Sequence, residues 1–356
     1  MSNRVQRLVD KAALQPRAGI IIHKPSNIFY LSGYTGEGLL VITQALRAIV
    51  TDFRYVEQAQ QQAPGFSVHS VSNDINHAQL AASLLKNEGI TTALYEDDEV
   101  TVRQGKQLEK AMDTITLSPL NNLPEALRQV KDKDEIKLIE KACAISCEAF
   151  EYICGIIKPG MTELQIKRQL ENFMMEHGAQ STAFDTIVAS GPNGSLPHAI
   201  AGDRVIQDGD MITLDFGAKY KGYCADMTRT IAVGQPSEKM LEIYNIVLHA
   251  QKTCQDALAA GKNCKEVDAI ARKIIGDKGY GAYFGHGLGH AVGIDIHEDP
   301  RLSPKCEDAL ETGHVVTVEP GIYLPGIGGV RIENTCVITK DGARSLVPAS
   351  RELRIL

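Results

Sequence analysis

Apolar and polar positions alternate in blocks over the first third of the chain. The β-branched runs "AGIIIH", "GLLVIT" and "RAIVTD" read as buried strands, and a helical stretch around "NHAQLAASLLKNEG" precedes another strand-like run, "TTALYED". Strands that alternate with helices predict an α/β domain with a central, mixed sheet. The opening "MSNRVQRLVDKAAL" reads as an amphipathic helix and has no apolar core of signal-peptide length. The texture changes at "LRQVKDKDEIKLIEKACAISCEAFEYICGII". Here Asp132 or Asp134 is the candidate N-cap of a long helix, and Ile136, Ile139, Ala142, Ile145 and Ala149 follow at roughly helical spacing until Pro159 and Gly160. The domain boundary is placed near Val130, giving residues 1–130 and 131–356.

The second part predicts three further helices, "TELQIKRQLENFMMEHG", "EKMLEIYNIVLHAQKTCQDALAAG" and "CKEVDAIARKIIGDKG". Between and after them lie the strand-like runs "MITLDFGA", "TRTIAVG", "HVVTVEPGIY" and "GGVRIENTCVIT", punctuated by glycine-rich turns. Helices flanking a mostly antiparallel sheet make this an α+β domain. A chain of 356 residues suits two domains. A formal net charge of −7 argues against a dedicated nucleic-acid or anionic-membrane binder. No apolar run approaches the roughly 18 residues needed to cross a bilayer. Without an export signal, the cytoplasm is the default compartment expected. The 8 cysteines form no CxxC pair, and free thiols are expected. Cys143 and Cys147 share a helical face, where core packing explains them better than zinc.

The candidate chemistry lies in the second domain. "TLDFGAKYKGYCADMTRTI" carries Asp215 and Asp226 in a stretch whose pattern predicts burial. A carboxylate enters such a setting only if something positive meets it there. Two structural carboxylates, each paired with an arginine or capping a turn, satisfy that condition. So does a metal centre. Four more features follow the same theme: "PHA" with His198, "FGHGLGHAVGIDIHED" with His286, His290 and His297, "VEPGIY" with Glu319, and "GGVRIEN" with Arg331 and Glu333. Singly each is ambiguous. Glu319 fits an ion pair with Arg331, "GHGLGH" fits a glycine loop with a core histidine, and His297 fits a cap on the loop at Asp299-Pro300. The zincin motif HExxH is absent. Together, four carboxylates need compensating cations, and carboxylate oxygens with one imidazole suit Mn²⁺, Co²⁺ or Zn²⁺.

In order and spacing, "LDFGAKYKGYCADMTRT", "GHGLGH", "VEPGIY" and "VRIEN" resemble the metal-binding signature of the pita-bread metallopeptidases, a family that includes methionine aminopeptidases, aminopeptidase P and prolidase. "SNIFYLSGYTGEG", "TDFRYVEQA" and "KDEIKLIEKAC" resemble the N-terminal domain and linker of its Xaa-Pro peptidases, so the resemblance covers nearly the whole chain. It implies an α/β N-terminal domain followed by an α+β pita-bread catalytic domain. It also implies two divalent metal ions per chain, manganese foremost with cobalt or zinc as alternatives, held by Asp215, Asp226, His290, Glu319 and Glu333. Asp226 and Glu333 would bridge, and Asp215 and Asp226 would lie on facing strands of a hairpin turning at "AKYKG". Glu319 is the candidate proton acceptor, and His198, His286, His297 and Arg331 match residues around the substrate, with His198 and His297 the candidate catalytic donors. The implied substrates are peptides with proline in second position, and the implied assembly is a homodimer or tetramer. A catalytically inactive binding protein on this fold and a metal-free, creatinase-like hydrolase are the rivals; both are disfavoured because all five ligand positions are present. Dipeptidase and aminopeptidase stay open, because that choice depends on loops and neighbouring subunits around the cleft.

Overall fold

The apolar runs of the first third become strands buried on both faces, which is why they read as continuous rather than alternating. The structure is a computed structural model that describes residues 2–356. The chain divides into a unit ending at Arg128 and a unit from Gln129 to Leu356. In the first unit the strands are β1 (Ala18–Ile22), β2 (Leu39–Ile42), β3 (Arg47–Thr51), β4 (Ser67–Ser70), β5 (Thr92–Tyr95) and β6 (Thr116–Pro119). They form one sheet in the order β4-β3-β2-β1-β5-β6, antiparallel from β1 to β3 and parallel elsewhere. The mixed sheet is the one expected. Its outer strands, "SVHS" and "TLSP", are half-exposed and polar, and so carry no strand signal.

Helices α1 (Ser2–Lys11), α2 (Pro25–Ser32), α3 (Val56–Gln62), α4 (His77–Asn87), α5 (Val102–Ala111) and α6 (Leu123–Arg128) complete this unit. Capping boxes start α4 and α5, with Asn76 facing Gln79 and Thr101 facing Gln104. Ile21, Val41, Val50, Leu85 and Ile115 belong to one core between sheet and helices.

The second unit carries the expected long helices, α7 (Lys133–Cys154), α8 (Glu163–Glu176), α9 (Glu238–Ala257) and α10 (Cys264–Asp277). Asp132, Thr162, Ser237 and Asn263 cap their N-termini with side-chain acceptors. Strands β7 (Ser181–Thr182), β8 (Ile187–Ser190), β9 (Met211–Phe216), β10 (Ala218–Tyr220), β11 (Tyr223–Cys224) and β12 (Met227–Ala232) form two three-stranded sheets, β11-β10-β7 and β12-β9-β8. Strands β13 (Gly289–Ala291), β14 (Glu298–Leu302), β15 (Val315–Val318), β18 (Asn334–Thr339) and β19 (Gly342–Ser345) form a five-stranded sheet, and β16 (Gly321–Leu324) pairs with β17 (Gly328–Arg331). Helices α9 and α10 pack against these sheets through a core that includes Val247, Leu288, Val316, Val318 and Ile332.

Three sequence readings need correction. "HVVTVEPGIY" is not one strand but β15 and β16 in different sheets, divided at Glu319-Pro320, where proline supplies no ladder donor. "GGVRIENTCVIT" divides likewise at Ile332-Glu333. Asp215 does lie on β9, paired antiparallel with β12, but Asp226 sits just before β12 rather than on a facing strand. "AKYKG" is also more than a turn, since β10 and β11 leave for a separate sheet and reverse at Lys221 and Gly222, both at positive φ. No helix among the described residues is long and apolar enough to cross a membrane.

Candidate metal centre

Glu319 and Glu333 occupy the two points where the chain leaves one sheet for another. His290 reaches the same place from β13. Its strand lies so close to β15 that a Cβ at Gly289 would stand 2.1 Å from the Thr317 carbonyl oxygen, and Thr317 Oγ1 accepts from the His290 N–H at 3.1 Å. His290 Nδ1 faces the Ala291 carbonyl at 3.1 Å, an oxygen that can only accept, so Nδ1 carries the hydrogen. Nε2 is then turned toward Glu319 Oε1 at 3.3 Å and Asp226 Oδ2 at 3.5 Å. Donor atoms of Asp226, His290 and Glu333 all lie within 4.8 Å of one another, and these three residues are buried. Asp215 joins them through the register that sets it opposite Thr228.

The cluster carries more negative charge than its surroundings neutralise. Burial, and after it the charges of Glu333, Asp215 and Glu319, push the Asp226 carboxyl well above the usual carboxylate range. Burial together with Glu319 and Asp215 does the same to Glu333. Among the described residues one cation meets the group directly: Arg331 donates to Asp215 Oδ2 at 2.5 Å. The arginine-paired reading of Asp215 therefore holds for one of its oxygens. Asp215 Oδ1 and Glu333 Oε1 are buried with no hydrogen-bond partner among the described residues. Glu333 Oε2 accepts from Thr228 Oγ1 at 2.8 Å. A second buried cation, Arg229, satisfies carbonyl oxygens instead, those of Thr228, Glu333, Ala349 and Ser350. Orphaned carboxylate oxygens converging with a bare imidazole nitrogen fit borderline-hard divalent cations.

Arg331 and His286 belong to one donor chain. Arg331 Nη1 donates to Tyr323 Oη at 2.9 Å, so the tyrosine hydrogen goes on to His286 Nε2 at 2.8 Å, while His286 Nδ1 meets the Gly287 carbonyl at 2.8 Å. Both ring nitrogens of His286 are thus engaged, and burial lowers its pKa, keeping it neutral. His198 and His297 differ. Neither makes a side-chain hydrogen bond among the described residues, and both line a cavity of about 650 Å³ that also exposes the carboxylate cluster. The His297 ring stands edge-on to His290 with centroids 4.5 Å apart, and burial, followed by the neighbouring His290 imidazole, pushes its pKa down to about 4. It caps nothing at Asp299-Pro300.

Tyr323, Thr228 and Arg301 escaped the sequence reading. Tyr323 and Thr228 are ordinary strand residues until the register brings them to Arg331 and Glu333. Arg301 lines the cavity four positions beyond His297, and its side chain has no ion-pair or hydrogen-bond partner among the described residues. Phe184, Ile187, Ile200 and Ile296 supply apolar wall.

Two family models between them match most of the chain. Residues 137–340 match the model for "Metallopeptidase family M24", and residues 4–130 match that for "Creatinase/Prolidase N-terminal domain". A Xaa-Pro dipeptidase of Pyrococcus horikoshii is 38% identical over 357 residues, with 99% of each chain covered. The solved structure of a Xaa-Pro dipeptidase from Bacillus anthracis superposes with a TM-score of 0.95 at 43% identity, covering 99% of both chains. That of an X-Pro aminopeptidase from Thermotoga maritima gives 0.91 at 36% identity, covering 99% of this chain and 100% of that one.

Proposed function

The chain belongs to metallopeptidase family M24, and on that footing we propose that it removes an N-terminal residue from short peptides by hydrolysing the bond before proline. The observation that carries this reading is the convergence of four carboxylates and one imidazole, with a single directly paired arginine, on one wall of a peptide-sized cavity. Asp215, Asp226, His290, Glu319 and Glu333 would hold two divalent ions, with manganese the first to test. Such ions, when bound, lower the pKa of a water and polarise a carbonyl.

The remaining roles fall to the chain's own groups. The Glu319 carboxylate takes the proton released by the attacking water and returns it to the nitrogen of the departing proline. Thr317 Oγ1, which donates to Glu319 Oε1 at 3.3 Å, orients that carboxylate. His198 and His297 have free ring donors facing the cavity. They suit the substrate backbone and the oxygen that becomes negative as water adds to the carbonyl. Arg331, with Tyr323 and His286 behind it, fixes Asp215 and prevents its carboxylate from turning away. The eight free cysteines agree with a reducing, cytoplasmic setting.

Arg301 favours the dipeptidase form of this activity. A cation without an acidic partner at the cavity wall complements a free C-terminal carboxylate, which a dipeptide brings close to the scissile bond. The test is hydrolysis of Ala-Pro, Ala-Pro-Ala and Ala-Ala by purified protein, before chelation, after chelation and after adding Mn²⁺. Metal-dependent cleavage of the proline substrates is expected, with Ala-Pro preferred and that preference lost in Arg301→Gln. Full activity in a chelated, metal-free preparation, or equal cleavage of Ala-Ala, overturns the assignment.

A further inference from the structure

We propose that Glu163 is a positioning residue for this reaction, gripping both ends of the loop that presents His198 to the cavity; the inference rests on the role given to His198 above. Glu163 opens α8 and is 0% exposed. Its carboxylate accepts from Ser190 N at 2.7 Å, Ser190 Oγ at 2.7 Å, Asn193 Nδ2 at 3.1 Å and Gly202 N at 3.3 Å. Ser190 and Gly202 bracket the segment that holds His198. The helix backbone adds two bonds to the same far end, Leu164 N to Gly202 O at 3.0 Å and Glu163 N to Arg204 O at 3.1 Å.

The segment opens as a short 3-10 turn, Gly191–Ser195, and continues through Leu196 N to Asn193 O and Ala199 N to Leu196 O, with Ala199 buried and its large apolar side chains, Leu196 and Ile200, exposed. On its inner side the loop lies against β17, the strand that carries Arg331. A Cβ at Gly329 would stand 2.0 Å from the Gly194 oxygen, so the approach is close and the loop's seat is defined. Arg204 completes the grip, donating to Ser190 Oγ at 2.5 Å while Asp210 holds its guanidinium through two bonds of 2.6 and 2.9 Å. Ser190 Oγ accepts from Arg204, so its own hydrogen goes to Glu163. Every group facing the Glu163 carboxylate is therefore a donor, and only an ionised carboxylate accepts from all of them. Glutamine has the same shape but turns an NH₂ toward donors.

The test uses the Mn²⁺-loaded enzyme and Ala-Pro. Glu163→Gln is expected to lower kcat by about 10–100-fold, the usual effect of losing a group that orients a functional side chain. Metal content should equal that of the unaltered protein. In a His198→Ala background, Glu163→Gln should have no further effect on kcat, because its target is gone. Asn193→Ala removes one donor and should show the same dependence on His198 with a smaller loss, which keeps the test open if Glu163→Gln folds poorly. Equal fold-losses in both backgrounds, or an unchanged kcat in Glu163→Gln, overturn the inference while leaving the peptidase assignment in place. An unimpaired His198→Ala would remove the role of His198 and the inference together.

Discussion

Asp226→Asn should reverse the relation between metal and stability. In the metal-free protein Asp226 shares a buried site with Asp215, Glu319 and Glu333. Two unit charges at the 4.8 Å limit of this cluster repel by about 3.5 kcal/mol at an effective dielectric near 20. Partial protonation already relieves some of that, since burial and the neighbouring acids raise the Asp226 pKa. Replacing the charge therefore leaves the metal-free protein as stable as before, or more stable by about 1–2 kcal/mol. With metal the order inverts. A protein that binds Mn²⁺ only when folded gains about 2.7 kcal/mol at a hundredfold excess over Kd. For a unit running from Gln129 to Leu356, which is 356 − 129 + 1 = 228 residues, that is a rise in Tm of about 5–11 °C. The variant, lacking a proposed shared ligand, should show almost none of this rise. Calorimetric scans with and without Mn²⁺, paired with elemental analysis of the same samples, read both effects. A metal-free variant that melts well below the metal-free parent, or one that retains two tightly bound metals, refutes the reasoning.

Arg331→Met removes the one cation in contact with the cluster and leaves Asp215 buried and uncompensated. A loss of about 3–5 kcal/mol is expected by denaturant titration of the metal-free protein, opposite in sign to Asp226→Asn; a change under 1 kcal/mol would deny the pair its compensating role. His297→Ala should lower turnover by roughly 10²–10³ with metal content and melting temperature unchanged, and should affect KM less than kcat. Near-normal turnover would return His297 to a packing role. The buried His314 gives a pH dependence away from the site. Its Nδ1 accepts from the Glu311 N–H at 3.1 Å, Nε2 is buried without a partner, and burial followed by the Lys131 charge pushes its pKa down to about 4. The unfolded chain takes up the proton near pH 6.5 and the folded chain only near 4, so stability is intact above 6.5 and falls across that window by about 3 kcal/mol. His314→Gln should flatten the stability-against-pH curve there, and an unchanged slope would refute the assignment.

Glu319 and Glu333 stand out in the bare chain because a charge inside an apolar, glycine-punctuated run is a local anomaly, visible without any partner. The break in the backbone at each of them is not visible. The strands on either side, β15 and β16 or β17 and β18, are buried on both faces, so the apolar run continues while the hydrogen-bonding partner changes. Asp226 is misplaced for the same reason, since nothing in "AKYKG" distinguishes a tight turn from an excursion into a second sheet. Thr228, Tyr323 and Glu163 are hidden more deeply. A threonine or tyrosine in a strand and a glutamate in the first turn of a helix are what those elements ordinarily contain, and their partners lie far away in sequence. Ser190 and Gly202, for example, are 27 and 39 residues from Glu163. Arg301 sits in the polar "HEDPRL", which reads as surface until the cavity forms around it.

Charge placement ties these residues into one design. The interior near the site contains two arginines, and their contacts divide the work. Arg229 is held by carbonyls and secures the backbone that carries Glu333, while Arg331 is held by Thr228, Tyr323 and Asp215 and meets a single carboxylate. Among the described residues neither hydrogen-bonds to Asp226, and the Glu333 side chain receives only a threonine hydroxyl. A fold built to bury carboxylates for stability alone would pair each of them, because an unpaired buried charge costs several kcal/mol. This one pairs Asp215 Oδ2 with Arg331 and leaves Asp215 Oδ1 and Glu333 Oε1 without donors among the described residues. The arginines set orientation, and the unmet negative charge sets an affinity for added cations. Replacing Asp226 and replacing Arg331 should therefore move metal-free stability in opposite directions, although both changes would disable the same site.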